Sequence, residues 1–273
     1  MIPQIIHYCW FGGKEKPDDV IKCINSWKKF CPSFSIIEWN ENNYCISDAP
    51  IYVQEAIQSK KYAFATDYIR LDVVNKNGGL YFDTDVELIA DISFLLENNS
   101  FFGLERSNGE YKVNTGIGFG STKKNILLEM MMNDYHELRF IKPNGEFDIL
   151  PCPERNSVHF INMNYKLNNH IENIDDNLVL PTEYMCPLDQ QTGILNITNN
   201  TVSIHHYLAS WFNKSEQKLK RINEKLRPIF GYRISNIITE FIRNYRKNGL
   251  CYAFLELHKF IFRKKEAKNN EKN

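Results

Sequence analysis

The 273-residue chain has no Cys-x-x-Cys pair, no Cys/His alternation at zinc spacing, and no apolar run near the roughly 18 residues that a bilayer span requires. A zinc-ribbon scaffold and an integral membrane protein are thereby excluded. Its seven cysteines, at positions 9, 23, 31, 45, 152, 186 and 251, are odd in number and irregularly spaced, which argues for reduced, mostly buried thiols. Net charge is absent as well. Lys+Arg 33 balance Asp+Glu 33, so the global basic excess of a nucleic-acid-coating protein is missing and no nucleic-acid partner is expected. The opening Pro3-Gln4-Ile5-Ile6-His7 lacks the basic start and long apolar stretch of a secretory signal. The expectation is a cytoplasmic protein whose Asn98, Asn196, Asn199 and Asn213 triplets are not glycosylated.

What is present is a globular composition, 43% hydrophobic and 13% aromatic, enough for one large domain or one domain with a small appendage. The zero net charge hides an asymmetry. Residues 214–273 hold 16 basic and 6 acidic side chains, so this tail carries +10 and the remainder −10.

Periodicity predicts a strand over 2–8, a helix over 17–30, a second strand over 34–39, and two helices between 50 and 76 broken near Ser59-Lys60. Asn77-Gly78-Gly79 stops the second helix, and the apolar Leu80-Tyr81-Phe82 then ends in Asp83-Thr84-Asp85. Further strands are predicted at 101–104, 117–119 and 202–207, and helices at 124–135, 234–245 and 250–262, the last two interleaving apolar side chains with Arg and Lys. Residues 140–200 read as loop-heavy. The alternation implies an α/β fold with a largely parallel sheet, whose ligands bind at the carboxyl ends of strands.

Asp83-Thr84-Asp85 is the strongest chemical constellation. In extended geometry residues two apart face one side, so both carboxylates can share a crevice and invite a cation. Oxygen ligands favour Mg²⁺ or Mn²⁺, with phosphate oxygens completing the shell. A bare D-x-D also serves as a solvated turn; the apolar run before it is what favours function here. Asp67 and Arg70 lie on one helix face, either as donors and acceptors for a ligand or as an ordinary ion pair. His205-His206 sits on an apolar strand where only one imidazole can face a given side. Trp10 can stack on a planar base or fill the core. Asn114, before Gly116, Gly118 and Gly120, can bind a sugar hydroxyl or form a turn.

Taken together, residues 2–13, Ala65-Thr66-Asp67-Tyr68-Ile69-Arg70, Gly78 to Val86, and His205-His206 with Ser210-Trp211 resemble glycosyltransferase family 32, the sugar-transferase group with the D-x-D motif. Thr66 stands where the family usually has Ser. The resemblance implies a GT-A fold over residues 1–212, with 213–273 as a basic helical extension. It also implies a nucleotide-sugar donor, a UDP-hexose by expectation, and transfer with retention onto a saccharide or lipid-linked saccharide of surface polysaccharide. Carried onto this sequence, it makes Asp67, Arg70, Asp83 and Asp85 catalytic. Trp10, Asp67, Arg70, Asp83, Asn114, Ser210 and Trp211 become donor contacts, and Asp83, Asp85 and His206 become ligands of Mn²⁺ or Mg²⁺.

The basic extension fits a surface resting on anionic lipid at the inner face of the membrane, or a solvated helix packed on the acidic body. Two other classes compete. A haloacid-dehalogenase-type phosphohydrolase also places D-x-D after an apolar strand, but near its first strand. A non-catalytic carbohydrate- or membrane-binding module would not need both aspartates.

Overall fold

The computed structural model describes residues 1–107, 109–208 and 214–259. The chain forms two compact units, Met1–Gln190 with Leu195–Trp211, and Gln191–Ile194 with Phe212–Asn273.

In the first unit β1 (Ile5–Cys9) leads to α1 (Asp18–Phe30), which begins after Pro17 with Asp18 and Asp19 in its first turn and ends with Lys28 and Lys29 in its last, complementing the helix dipole at both ends. Its buried stripe is Val20, Cys23, Ile24 and Trp27. Each large side chain so buried contributes roughly 1.5–3 kcal/mol. β2 (Ser35–Trp39) follows, then α2 (Ile51–Gln58) and α3 (Tyr62–Asn77), separated by Lys60 in the left-handed region (φ 57°) where the sequence predicts a break. Gly78, at φ 68°, ends α3 and starts β3 (Gly79–Tyr81).

Next come β4 (Val86–Leu88), β5 (Ser100–Ser107), β6 (Glu110–Val113), β7 (Phe119–Ser121) and α4 (Ile126–Asn133). The stretch read as loop-heavy contains α5 (Cys152–Asn162), β8 (Glu172–Ile174), β9 (Asn177–Leu180) and α6 (Thr182–Met185) before β10 (Ser203–His205).

The large sheet runs β2-β1-β3-β7-β5-β9-β8, with β6 added to β5. β1 is parallel to β2 and β3, and β5 to β9, while β7 is antiparallel to both β3 and β5. β3 and β5 therefore run the same way, and five of the seven strands on the path share one direction. This is the mostly parallel α/β sheet expected, with β7 reversed inside it. Alternation divides the strands between two apolar layers. Leu80, Phe82 and Phe101 pack with Val20 and Trp27 of α1, while Tyr81, Phe102 and Phe119 pack with Leu71 and Val74 of α3 and Phe160 of α5.

In the second unit α7 (Lys214–Asn248) is broken at Gly231 (φ 73°, ψ 165°), and a further helix, α8, spans 250–259. Asn223 Nδ2 donates to Asn236 Oδ1 at 2.7 Å, Arg243 pairs with Glu216 at 2.9 Å, and Phe254 packs on Phe241. The two arms of α7 are thus antiparallel. No helix among the described residues is long and apolar enough to cross a membrane.

Candidate active site

β3 stops at Tyr81, Phe82 completes its apolar run, and the chain turns: the Val86 amide donates to the Asp83 carbonyl at 3.1 Å. The acidic pair therefore lies in a turn and not on an extended strand, which corrects the geometry inferred from sequence. Its two carboxylates point to different anchors. Trp27 Nε1 donates to the Val86 carbonyl at 2.8 Å and Ser26 Oγ accepts from the Leu88 amide at 2.8 Å, so α1 fixes the far side of the turn.

Asp83 is held from α3. Arg70, 3% exposed, places one guanidinium nitrogen 3.1 Å from Asp67 Oδ1 and 3.2 Å from Asp83 Oδ1, while its Nε donates to the Thr66 carbonyl at 3.1 Å. Tyr81 Oη donates to the same Asp83 oxygen at 3.0 Å, and the guanidinium lies over the Tyr81 ring. One cation that cannot lose its proton thus serves a buried carboxylate and a half-buried one. Burial pushes Asp67 up to about 6, with Arg70 opposing and Asp83 adding to the shift. Burial also raises Asp83, again against the pull of Arg70. Helical spacing alone left Asp67 and Arg70 as an ordinary pair; depth and the shared third member make them part of the site.

Asp85 is held from the other side. β10 pairs antiparallel with β4, setting His205 opposite Val86. His205 Nε2 lies 3.3 Å from Asp85 Oδ1, the Leu208 amide donates to Oδ2 at 2.8 Å, and the His206 amide donates to the Asp85 carbonyl at 2.9 Å. Burial alone would raise Asp85, but His205 and the Leu208 amide hold it below the usual carboxylate range. Burial disfavours the imidazolium, yet Asp85 and Cys186 keep His205 well above the usual imidazole range. Asp85 and His205 form an ionised pair.

The imidazole at the acidic pair is His205 and not His206. His206, one residue past the end of β10, turns the other way, and its ring reaches Glu87 at 2.7 Å, which also holds Lys22. Tyr207 then enters the left-handed region at φ 51°, at a cost of about 1–2 kcal/mol for such a residue. Its ring packs 4.0 Å from that of His205 and its hydroxyl lies 3.0 Å from Cys186 Sγ. These contacts hold residues 205–208 across Asp85 as a strap.

Asn114 belongs to the same assembly. Its Oδ1 accepts from the Gly116 amide at 2.7 Å, and its Nδ2 donates to Glu105 Oε2 at 2.8 Å. The Gly116 carbonyl accepts from the Asp83 amide at 2.9 Å. Cys152, at the start of α5, brings its sulfur 3.5 Å from the Arg70 guanidinium. A Cβ on Gly116 would fall 2.3 Å from Asp83 Oδ2 and 2.9 Å from an Arg70 nitrogen. Gly116→Ala is therefore expected to push the pair apart, lowering stability by about 1–3 kcal/mol and activity at least tenfold. Thermal melting and turnover of the same preparation check this; unchanged turnover would show that the pair does not need this close approach.

Trp10 stands at the carboxyl end of β1, half-buried, donating from Nε1 to the Lys14 carbonyl at 2.6 Å with Lys16 over its ring. It also packs against the apolar layer beside α1, and its amide donates to the Trp39 carbonyl at 2.9 Å. Ser210 and Trp211 lie outside the described residues. Sequence reasoning passed over Tyr81, Glu105, Cys152, Gly116 and Tyr207 as site residues, since none carries a spacing signal. A separate cavity of about 150 Å³ between Trp39, Tyr44 and Asp72 shares no lining residue with the cluster, and its Asp72 is already held by Tyr44 and Lys76.

Residues 17–102 match the family described as the glycosyltransferase sugar-binding region containing the DXD motif. This segment is similar to a DXD glycosyltransferase region. It covers a little under a third of the sequence and contains Asp67, Arg70, Asp83 and Asp85, while Trp10, Asn114 and His205 lie outside it. No curated protein matches the chain. Among solved structures, the PaToxG glycosyltransferase is 18% identical, with 62% of this chain and 73% of that chain covered at a TM-score of 0.44. The galactosyltransferase LgtC, in complex with donor and acceptor sugar analogues, is 12% identical over 86% and 95% at 0.41. A glycosyltransferase involved in glycosylating the major capsid of PBCV-1 is 10% identical over 79% and 97% at 0.44. The family match is to a glycosyltransferase region.

DXD glycosyltransferases of the GT-A type generally use a divalent metal, and the donor set here suits one in part. The two carboxylates favour a hard cation, while His205, charged by Asp85, offers it no lone pair. Among the described residues, however, no group of three or more His, Cys, Asp or Glu side chains is gathered to hold an ion. The glycosyltransferase region offers an incomplete shell, which suits a cation that arrives with phosphate oxygens.

Proposed function

We propose that this chain is a metal-dependent retaining transferase of the family 32 type. It moves a hexose from a nucleotide sugar, a UDP-hexose in the first instance, to a saccharide or lipid-linked saccharide in surface polysaccharide synthesis. The observation that carries the reading is the division of labour at the turn: Asp83 tied to Arg70, and Asp85 kept ionised under the 205–208 strap.

Asp83 and Asp85 would hold Mn²⁺ or Mg²⁺, and the imidazole beside them is that of His205, charged by its pairing with Asp85, and not that of the His206 expected from sequence. When bound, the ion supplies positive charge to the departing diphosphate. Arg70 and His205 add fixed positive charge that needs no reorganisation as the sugar–phosphate bond breaks. Asp67, anchored by Arg70, accepts hydrogen bonds from the donor sugar and fixes its orientation. Retention would follow from same-face attack by the acceptor hydroxyl beside the departing phosphate, with no covalent intermediate. Trapping of a glycosylated carboxylate would overturn that step. Lipid-linked acceptors place the enzyme at the inner membrane face, with the basic extension as the contact.

The test is a panel of nucleotide sugars in metal-dependent thermal shift, followed by proton NMR of the product anomer. Stabilisation by one donor only with Mn²⁺ or Mg²⁺, and a product of unchanged anomeric configuration, is the expected outcome. An inverted product would end the retaining assignment.

A further inference from the structure

The contacts between the two arms of α7 step inward symmetrically: Glu216 with Arg243, Asn223 with Asn236, and the Arg227 guanidinium over the Tyr232 ring. Their midpoint is Ile229–Phe230. Pro228 and the left-handed Gly231 flank these two residues, where the helix cannot run straight. Between the arms Asn223 bonds Asn236 and Thr239, and Asn223, Ser235 and Thr239 are buried, so the hairpin stem is fastened by polar contacts. The tip is the reverse. Ile229 is 72% exposed, Phe230 46% and Ile234 49%. The sequence between Glu224 and Glu240 has no acidic residue and three basic ones, of which Lys225 and Arg233 are exposed. A tip with exposed apolar side chains ahead of basic ones matches the layering of an anionic bilayer, whose acyl region lies beneath negative headgroups.

We propose that this hairpin binds anionic membrane tip-first, inserting Ile229 and Phe230 below the headgroups while Lys225 and Arg233 meet the lipid phosphates. This rests on the membrane reading of the extension and sharpens it. That reading has the basic faces lying flat on the surface, and the hairpin concentrates the contact in two apolar residues. Insertion of two large side chains together with nearby cations is of the size that gives reversible binding, with each cation near the surface contributing about fivefold.

The test uses the full-length chain floated with vesicles of phosphatidylcholine alone or with added phosphatidylglycerol. Wild type is expected to float only with the anionic vesicles, and Ile229→Ser/Phe230→Ser to lose at least about tenfold in bound fraction. Nucleotide release in solution should be unchanged in that variant, since neither residue belongs to the candidate site. Phe230→Trp should gain blue-shifted emission on anionic vesicles over the native tryptophan background. This reports insertion independently of any folding defect in the serine variant.

Absence of flotation by wild type would overturn both the insertion and the membrane reading. Equal flotation of the serine variant, or no emission change in Phe230→Trp, would overturn tip insertion while leaving the flat mode. A dimer in solution that the serine variant dissolves, without flotation, would assign the tip to a second copy of the chain and reject the bilayer. In each case donor turnover reports the transferase reading separately.

Discussion

Asp85→Asn is expected to lower metal-stimulated nucleotide release by about 10²–10³-fold while the protein stays folded, because the substitution weakens the hold on the cation that would neutralise the leaving group and changes little else. Asn can still accept the Leu208 amide bond through its side-chain oxygen. The partner left behind is His205, whose charge exists because Asp85 is beside it. An imidazole can shed that proton at neutral pH, so the stability cost is that of a weakened pair, on the order of 1–2 kcal/mol. Full-rate release by a folded Asp85→Asn protein would remove Asp85 from the chemistry. A large loss in melting temperature would instead make the pair primarily structural.

Arg70→Met should do the opposite, damaging stability as severely as activity. Arg70 is the cation shared by Asp67 and Asp83, Arg70 and Asp67 lie deep with Asp83 half-buried beside them, and a guanidinium has no neutral form to fall back on. Its removal leaves two carboxylates without compensation, at a cost of about 3–5 kcal/mol, or on the order of 10 °C in melting temperature.

The loss has a pH signature. Asp67 already stands at about 6 in the native protein because of burial, with Arg70 restraining the rise. A carboxylate with a raised folded-state pKa contributes stability that is complete below its unfolded value and is lost as pH rises through the folded one. Without Arg70 that folded value climbs further. The gap in melting temperature between variant and wild type should therefore narrow on going from about pH 8 to about pH 5. A gap independent of pH would show that lost packing on Tyr81, and not stranded charge, dominates.

Much of this architecture was legible in the chain itself. The break at Ser59-Lys60, the stop at Gly78 and the apolar run into Asp83 depend on local chemistry, and they fall where the sequence puts them. So does α1, whose stripe and end charges are written at helical spacing. What was not legible depends on pairings across long separations. β4 and β9 are three or four residues long and find β10 and β5 far along the chain, and β7 lies antiparallel to strands on both sides.

The site divides in the same way. Asp67, Arg70, Asp83 and Asp85 announce themselves as motif residues. The choice between His205 and His206 turns on the register of β10 against β4, with His205 opposite Val86, and no single-sequence pattern contains that register. Glu105 joins through Asn114 at the end of the β5–β6 hairpin, and Gly116 through the Asp83 amide, a contact that needs segments over thirty residues apart to meet. The turn geometry of the acidic pair was missed for a related reason. Strand alternation was extended past Phe82, where the Val86 amide instead closes a turn on Asp83.

The most direct measurement is Mn²⁺ occupancy by electron paramagnetic resonance, for wild type and Asp85→Asn, with and without UDP. The incomplete protein shell predicts weak binding of Mn²⁺ alone, much tighter binding once UDP supplies phosphate oxygens, and loss of that gain in Asp85→Asn. Mn²⁺ binding that is indifferent to UDP, or UDP-dependent binding that survives in Asp85→Asn, would contradict the account.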